Sequence, residues 1–199
     1  MMMWQPARES LLMRQTLIID LEATCSDDKR VLPRDEMEII EVGAALATED
    51  GDVVATLQRF VRPVEHPVLT PFCTQLTGIT QAVVANAPLW EVIAKELDDF
   101  ARHHNVTEWG SWGRFDLNQI ARECKRKKLR IPLAKIPHRN IRQEFSFAQE
   151  MFPKPGMKEA VERVGLVPRG AHHRALDDAI NIAHLLPWCE TIRVYREDQ

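Results

Sequence analysis

The sequence contains few cysteines, and no two of them are close together in the chain. The four thiols belong to Cys25, Cys73, Cys124 and Cys189, and none forms a CxxC pair. This spacing excludes a zinc ribbon, and it lacks the density of a disulfide-stabilised secreted domain. We therefore expect four reduced thiols in a reducing compartment, which favours a cytoplasmic location.

A long hydrophobic run is also missing. No stretch approaches the ~20 apolar residues that a membrane-spanning helix requires. The first fourteen residues include Arg8, Glu9 and Arg14 and have no apolar core, so they do not have the pattern of a signal peptide. These features predict a protein with no membrane partner.

The chain has no excess of positive charge either. It carries 26 Lys and Arg residues against 29 Asp and Glu residues, which gives a formal net charge of -3. A protein that coats nucleic acids through its overall charge is therefore excluded, and any attraction to phosphate must come from a local patch or from bound cations. A metal-dependent enzyme remains compatible with this balance, because its own ligands are acidic.

No repeat, low-complexity tract or Gly/Ser linker divides the 199 residues, and 45% of them are hydrophobic. That is enough for one substantial core. We predict a single domain over residues 16–190, preceded by a flexible segment at 1–15 and followed by a tail at 191–199.

The hydrophobic pattern predicts an α/β fold. Apolar runs indicate strands at residues 16–21, 38–48 and 53–63, of which the last two flank an acidic turn and form an antiparallel hairpin. Because three strands come first and helices then alternate with strands, we expect a mixed sheet flanked by helices. Helices are predicted at 71–76, 89–104, 116–128, 141–151, 157–164 and 175–188, and short strands at 109–112 and 136–138.

Two carboxylates stand at the end of the first predicted strand. Asp20 and Glu22 are two residues apart, and alternate side chains of a strand project from the same face. Two like charges at the edge of a core repel one another unless a cation neutralises them. Magnesium, which prefers carboxylate and water oxygens, suits such a pair. The alternative is a solvated strand end with two ordinary acids.

A third carboxylate, Asp116, begins the predicted helix at 116–128. It could point into the same site as the first two. It could equally serve as a helix cap, since Asp is common at helix N-termini and interacts favourably with the helix dipole. The residues alone leave both interpretations open.

The last predicted helix begins with a segment rich in His and Asp. Positions five apart lie about 140° apart around a helix, so a His and an Asp with this spacing face one site only if the His lies on the preceding loop. A helical wheel places Asp178 nearer the apolar face and Asp177 on the polar face with Asn181. It does not choose between His172 and His173.

Five short segments spread over about 160 residues of the chain carry a joint pattern. They are IIDLEATC (18–25), EIIEVGA (38–44), LTGIT (76–80), SWGRFD (111–116) and HRALDDA (173–179). In this order they resemble the DEDDh family of 3′→5′ exonucleases, whose fold is RNase H-like. The similarity is strongest to the Eri-type exonucleases of histone mRNA and small RNA and to their bacterial relatives. Near relatives often have Trp directly before the middle Asp, where this chain has Phe115.

This resemblance implies a catalytic site with two Mg²⁺ or Mn²⁺ ions. The metal ligands and catalytic carboxylates would be Asp20, Glu22, Asp116 and Asp178. His173 would be the general base, because the family places its His five residues before the last Asp. The expected reaction releases 5′-mononucleotides from the 3′ end of a strand.

The resemblance also implies how the terminal nucleotide is held. The backbone around Glu22, Ala23 and Thr24 and the side chains of Leu76 and Thr77 would bind it. A side chain that packs on a base requires an unpaired base, which favours single-stranded 3′ ends of RNA or DNA, with RNA preferred. The protein would act as a monomer or a homodimer. The alternatives are a non-catalytic nucleic-acid-binding protein with this fold and a phosphohydrolase of short oligonucleotides.

A basic run at residues 125–130 ends the helix that begins at Asp116. Cations at a helix C-terminus complement its dipole and are usually solvated. The same charges could instead contact the phosphates of a nucleic acid. The sequence does not decide between these two roles.

Overall fold

A five-stranded mixed sheet forms the centre of the computed structural model, which describes residues 14–189. β1 is antiparallel to β2 and β2 to β3, whereas β4 runs parallel to β1 and β5 parallel to β4. The strands are β1 (Gln15–Ala23), β2 (Ile39–Thr48), β3 (Val53–Phe60), β4 (Trp109–Ser111) and β5 (His138–Asn140), in the spatial order β3-β2-β1-β4-β5. The mixed α/β sheet expected from the sequence is confirmed.

Helices cover both faces of the sheet. Successive side chains of β1 point to opposite faces of the sheet and so belong to two separate parts of the core. Leu17 and Ile19 pack with residues of α3 and α4, whereas Ile18 packs with residues of α5, α6 and α7. β2 is buried along its whole length, as expected for a strand covered on both sides. The helices are α1 (Pro71–Thr77), α2 (Gln81–Ala85), α3 (Trp90–His103), α4 (Phe115–Lys127), α5 (Ile141–Ala148), α6 (Met157–Arg163) and α7 (Ala175–Ala183).

Several predicted boundaries differ from the structure. α7 ends at Ala183, not at residue 188, and a short 3-10 helix (Leu186–Cys189) follows, because Pro187 has no N–H to continue the helix. β5 begins two residues later than predicted, and α2 was not predicted. Of the predicted flexible start only residues 14 and 15 are described, and Gln15 already belongs to β1. The predicted tail at 191–199 lies outside the described residues.

No helix within residues 14–189 combines the length and the apolar composition needed to span a bilayer. The four cysteines, all in this part of the chain, are free thiols.

Candidate active site

Three carboxylates converge where the C-terminal end of β1 meets the first turn of α7. Asp20 and Glu22 lie on the same face of β1 as Ile18, which is the face that α7 covers. Asp178 lies in the first turn of α7 and is buried. Carboxylate oxygens of all three residues lie within 4.8 Å of one another. The common face predicted for the two β1 acids is thus confirmed.

Asp116 joins this group from the N-terminal turn of α4. β4 runs parallel to β1, so the loop after β4 emerges at the same edge of the sheet as the end of β1. The Asp116 side chain is buried, and its Oδ1 accepts a hydrogen bond from the backbone N–H of Leu21 at 3.1 Å. Asp116 therefore lies beside the β1 carboxylates and points into the same site, which was the first of the two interpretations of this residue.

These carboxylates line a cavity of about 260 Å³. At ~30 Å³ for each water, this volume has room for about eight water-sized groups, which is enough for hydrated cations and a phosphate. Its apolar walls include Phe115 and Met157, which the sequence did not single out as site residues. The lining residues are Asp20, Leu21, Glu22, Trp112, Phe115, Asp116, Met157, His172, His173 and Asp178.

The carboxyl groups of the cavity resist ionisation together. Burial, followed by repulsion from Asp116 and Glu22, raises the pKa of Asp20 well above its ordinary value. Burial and the nearby Asp178 raise the pKa of Glu22 to about 8, and burial raises the pKa of Asp116 to about 7. Burial also raises the pKa of Asp178. A divalent cation in the cavity would relieve this repulsion.

These raised pKa values predict an unusual pH dependence of stability. The folded protein holds protons on Glu22 and Asp116 that the unfolded chain has already released between about pH 4 and pH 8, so the free energy of unfolding should fall as the pH rises. We expect a loss of at least about 2 kcal/mol between pH 5 and pH 8.5 in EDTA. Mg²⁺ should restore this loss at pH 8.5 and have little effect at pH 5.

Urea denaturation at both pH values, with EDTA or with Mg²⁺, measures this effect. Glu22→Gln should flatten the pH dependence of the metal-free protein. A metal-free protein that becomes more stable from pH 5 to pH 8.5 would contradict the prediction.

Both histidines lie on the loop before α7, as the helical wheel requires. Their rings stack with centroids 4.0 Å apart. Nδ1 of His172 lies 3.1 Å from Oδ2 of Asp178, and Nδ1 of His173 lies 3.9 Å from Oε1 of Glu22. The backbone N–H of His173 also donates to Oδ2 of Asp178 at 3.0 Å. Burial lowers the pKa of His173, so its imidazole is neutral at pH 7 and able to accept a proton.

A buried glutamate, Glu41, fixes the start of α7 against the sheet. It stands on β2 directly opposite Glu22. Its Oε2 accepts hydrogen bonds from the backbone N–H of Ala175 and from Nε of Arg174, both at 3.2 Å, and its Oε1 accepts one from Nε2 of Gln58 at 2.6 Å. The sequence analysis did not give Glu41 a role. The available signal was a charged residue inside an otherwise apolar strand.

The two faces of α7 were predicted only in part. Asp178 points inward as the wheel indicates, but Asn181 is buried and the prediction that it lies on a solvated face is wrong. Its amide pairs with the backbone N–H and carbonyl of Arg169 at 2.8 and 2.9 Å. Asp177 accepts a hydrogen bond from the backbone N–H of Ala171 at 2.9 Å. The loop before α7 folds back over this side of the helix and covers it.

The residues predicted to hold a terminal nucleotide lie around the end of β1 and on α1. Leu76 is 37% exposed, whereas Thr77 is buried and its hydroxyl donates to the carbonyl of Cys73 at 2.9 Å. Ala23 is the last residue of β1, Thr24 follows it, and both are buried. Among these residues only Glu22 lines the 260 Å³ cavity. Their contacts with a nucleotide stay predictions, and Leu76 is the one whose side chain is exposed.

The basic run at 125–130 is largely occupied by ion pairs. Lys127 bonds to the buried Glu38 at 2.7 Å, and Arg126 bonds to Glu65 at 3.1 Å. Arg130 pairs with Asp98 of α3. These cations hold the end of α4 to neighbouring segments, which is a third role besides the two predicted. Lys125 and Lys128 are exposed members of the run that form no ion pair within residues 14–189.

Comparison with known proteins agrees with this geometry. An exonuclease family model matches residues 17–186, which include all of the predicted site residues. Human ERI1 exoribonuclease 3 is 31% identical over 180 residues, an alignment that covers 85% of this chain and 52% of the relative. The probable 3′-5′ exonuclease KapD of Bacillus subtilis is 31% identical over 181 residues, which cover 91% of this chain and 87% of that protein. The chain therefore spans about half the length of the ERI1 exoribonuclease.

Solved structures show the same fold. The nuclease domain of 3′hExo, described as a DEDDh family member bound to rAMP, superposes with a TM-score of 0.79 at 26% identity, and the match covers 94% of each chain. A 3′-exonuclease with 3′-end specific recognition of a histone mRNA stem-loop gives a TM-score of 0.80 at 27% identity, over 88% of this chain and 64% of that one. The mixed sheet with flanking helices is thus the RNase H-like architecture of these enzymes.

Proposed function

This chain belongs to the DEDDh family of 3′→5′ exonucleases, and from that membership we propose that it removes nucleotides one at a time from single-stranded 3′ ends, with RNA as the preferred substrate. The observation that carries the proposal is the convergence of four carboxylates on one cavity that also contains two histidines. Asp20 and Glu22 come from β1, Asp116 from α4 and Asp178 from α7. The exoribonuclease relatives support the preference for RNA.

The donor set fits hard divalent cations. It consists only of carboxylate oxygens, three of them within 4.8 Å of one another, and their raised pKa values indicate a site that is short of positive charge. We propose that the four carboxylates hold two Mg²⁺ or Mn²⁺ ions. Such ions supply charge neutralisation at the scissile phosphate and a lower pKa for the attacking water.

Side chains of the protein carry out the proton transfer and the positioning. His173, neutral at pH 7 and on the cavity wall, accepts the proton of the attacking water. The water oxygen bonds to phosphorus while the bond from phosphorus to the 3′ oxygen of the penultimate nucleotide breaks, and that oxygen takes up a proton from solvent. The products are a 5′-mononucleotide and a strand that is one nucleotide shorter and ends in a 3′ hydroxyl. His172 holds Asp178 in position through its Nδ1 contact.

The two histidines should therefore differ in their effect on the rate. His173→Ala removes the proton acceptor and should lower kcat by about 10²- to 10⁴-fold. His172→Ala removes one contact to Asp178 and should lower kcat by roughly tenfold. The His172 side chain is 48% exposed, so its hydrogen bond to a charged group contributes about 1.5 kcal/mol, the low end of the usual range. Single-turnover rates with saturating Mn²⁺ compare the two. An equal loss, or a larger loss in the His172 variant, would reverse the assignment.

The proposed activity is tested by a time course on matched single-stranded RNA and DNA labelled at the 5′ end, in Mg²⁺, Mn²⁺ or EDTA. A metal-dependent ladder that shortens from the 3′ end supports the exonuclease, and the faster substrate identifies the preferred sugar. Cleavage of a dinucleotide without cleavage of a long strand would indicate a phosphohydrolase of short oligonucleotides. Binding without cleavage in any metal would indicate a non-catalytic binding protein.

A further inference from the structure

A second groove opens from the candidate active site on its His172 side. Its volume is about 180 Å³, and it runs between the start of α6 and the loop before α7. Met157, His172 and Asp178 line both this groove and the 260 Å³ cavity. The groove and the cavity therefore adjoin one another at these three residues.

Two exposed cations stand on opposite walls of this groove. Lys158 lies on the first turn of α6, and Arg169 lies on the loop before α7. The Lys158 side chain is 59% exposed, and its ion pair with Glu162 spans 4.0 Å, a surface contact that contributes little. Within residues 14–189, Arg169 forms no side-chain ion pair. Both charges are thus available to an anion, unlike most of the basic run of α4.

Hydrogen bonds fix both walls of the groove. The backbone of Arg169 is held by the amide of Asn181 at 2.8 and 2.9 Å. The segment before α6 is held through the carbonyl of Pro155, which accepts hydrogen bonds from Nε1 of Trp112 at 3.3 Å and from Nε of Arg142 at 2.7 Å. Because the backbone on either side is already ordered, a ligand in the groove needs to order only two side chains.

We propose that this groove binds the backbone phosphates of the substrate strand on the 5′ side of the scissile bond, through Lys158 and Arg169. The proposal rests on the proposed function, since an exonuclease that holds a terminal nucleotide in the cavity needs an open exit for the rest of the strand. Four carboxylates and a net charge of -3 would otherwise repel a polyanion, so local cations must compensate. Lys158 and Arg169 would then set the affinity for long strands, while the chemical step depends on the carboxylates.

The test combines strand length with charge removal. In Lys158→Gln/Arg169→Gln, the ratio of kcat/KM for a 20-nucleotide strand to kcat/KM for a dinucleotide should fall roughly tenfold, with most of the change in KM. For long-strand binding, the slope of the logarithm of the binding constant against the logarithm of the salt concentration should become less steep by about 1.4. This is ~0.7 for each of the two lost phosphate contacts. Fluorescence anisotropy of a labelled strand in Ca²⁺ measures binding separately from cleavage.

Lys125→Gln/Lys128→Gln is the matched control, because it removes the same charge from exposed positions of the α4 run. It should leave both the ratio and the salt slope unchanged. An unchanged ratio and slope in the groove variant, or an equal loss in the control, would contradict the proposal that the groove binds the strand. A wild-type protein that cleaves neither substrate would refute the proposed function, and the anisotropy of the two variants would still decide whether the groove binds the strand.

Discussion

Asp20→Asn is expected to lower the rate of metal-dependent cleavage by at least about three orders of magnitude while the protein stays folded. Asp20 is one of the four proposed metal ligands. Loss of its charge would remove several kcal/mol of charge stabilisation at the phosphate, and each 1.4 kcal/mol corresponds to a factor of ten. The same change should stabilise the metal-free protein at pH 8, because Asp20 is repelled by Asp116, Glu22 and Asp178 and burial disfavours its charge. Lower activity and higher stability in one variant separate a functional residue from a structural one.

Single-turnover cleavage and urea denaturation in EDTA, both at pH 8, measure the two effects. Asp50→Asn makes the same chemical change in the exposed turn between β2 and β3 and should alter neither quantity. An Asp20 variant that retains a tenth or more of the wild-type rate would contradict the assignment of Asp20 to the catalytic site. An Asp20 variant that is less stable than wild type in EDTA would contradict the electrostatic account.

Gly43→Ala is expected to destabilise the protein by about 3 kcal/mol or more and to reduce its activity at the same time. A Cβ at this position would lie 2.1 Å from the carbonyl carbon of Ala175 and 2.2 Å from the backbone nitrogen of Leu176. Since both are main-chain atoms at the start of α7, the helix itself would have to move, and overpacking of this kind costs about 1–3 kcal/mol or more. Asp178, two residues further along the same turn, would move away from Asp20 and Glu22.

Thermal unfolding and the Mg²⁺ concentration for half-maximal activity measure this result. The expected decrease in Tm is about 6–12 °C for a chain of this size. Gly156→Ala is the control, because a Cβ there would meet nothing within 4 Å and its φ of -65° suits any residue. A Gly43 variant with the Tm and metal dependence of wild type would show that the contact between α7 and β2 can relax without cost.

Local periodicity was sufficient to predict which carboxylates of β1 and α7 point into the site. Two-residue alternation placed Asp20 and Glu22 together, and the helical wheel selected Asp178 over Asp177 as the inward acid. Both predictions depend only on the geometry of one element, which neighbouring residues determine. The resemblance to a known family then joined these elements to Asp116, which the residues alone had left between two interpretations.

Features that depend on distant parts of the chain could not be predicted in this way. Asn181 is buried because the loop before α7 folds over it, and Lys127 is occupied because the buried Glu38 lies beside it. Glu41 holds α7 from a strand far away in the sequence. No pattern within one helix or strand reports such contacts, and the same limit applies to the groove at Lys158 and Arg169.

The positions of the four carboxylates along the chain also bear on protein synthesis. Asp20 lies in the first strand and Asp178 in the last α-helix of the described residues. A chain still emerging from the ribosome therefore lacks the complete set of four carboxylates until α7 has left the exit tunnel. Any product that terminates before α7 would lack the last carboxylate. The proposed exonuclease activity, which needs all four carboxylates, would therefore appear only when synthesis of this domain is complete.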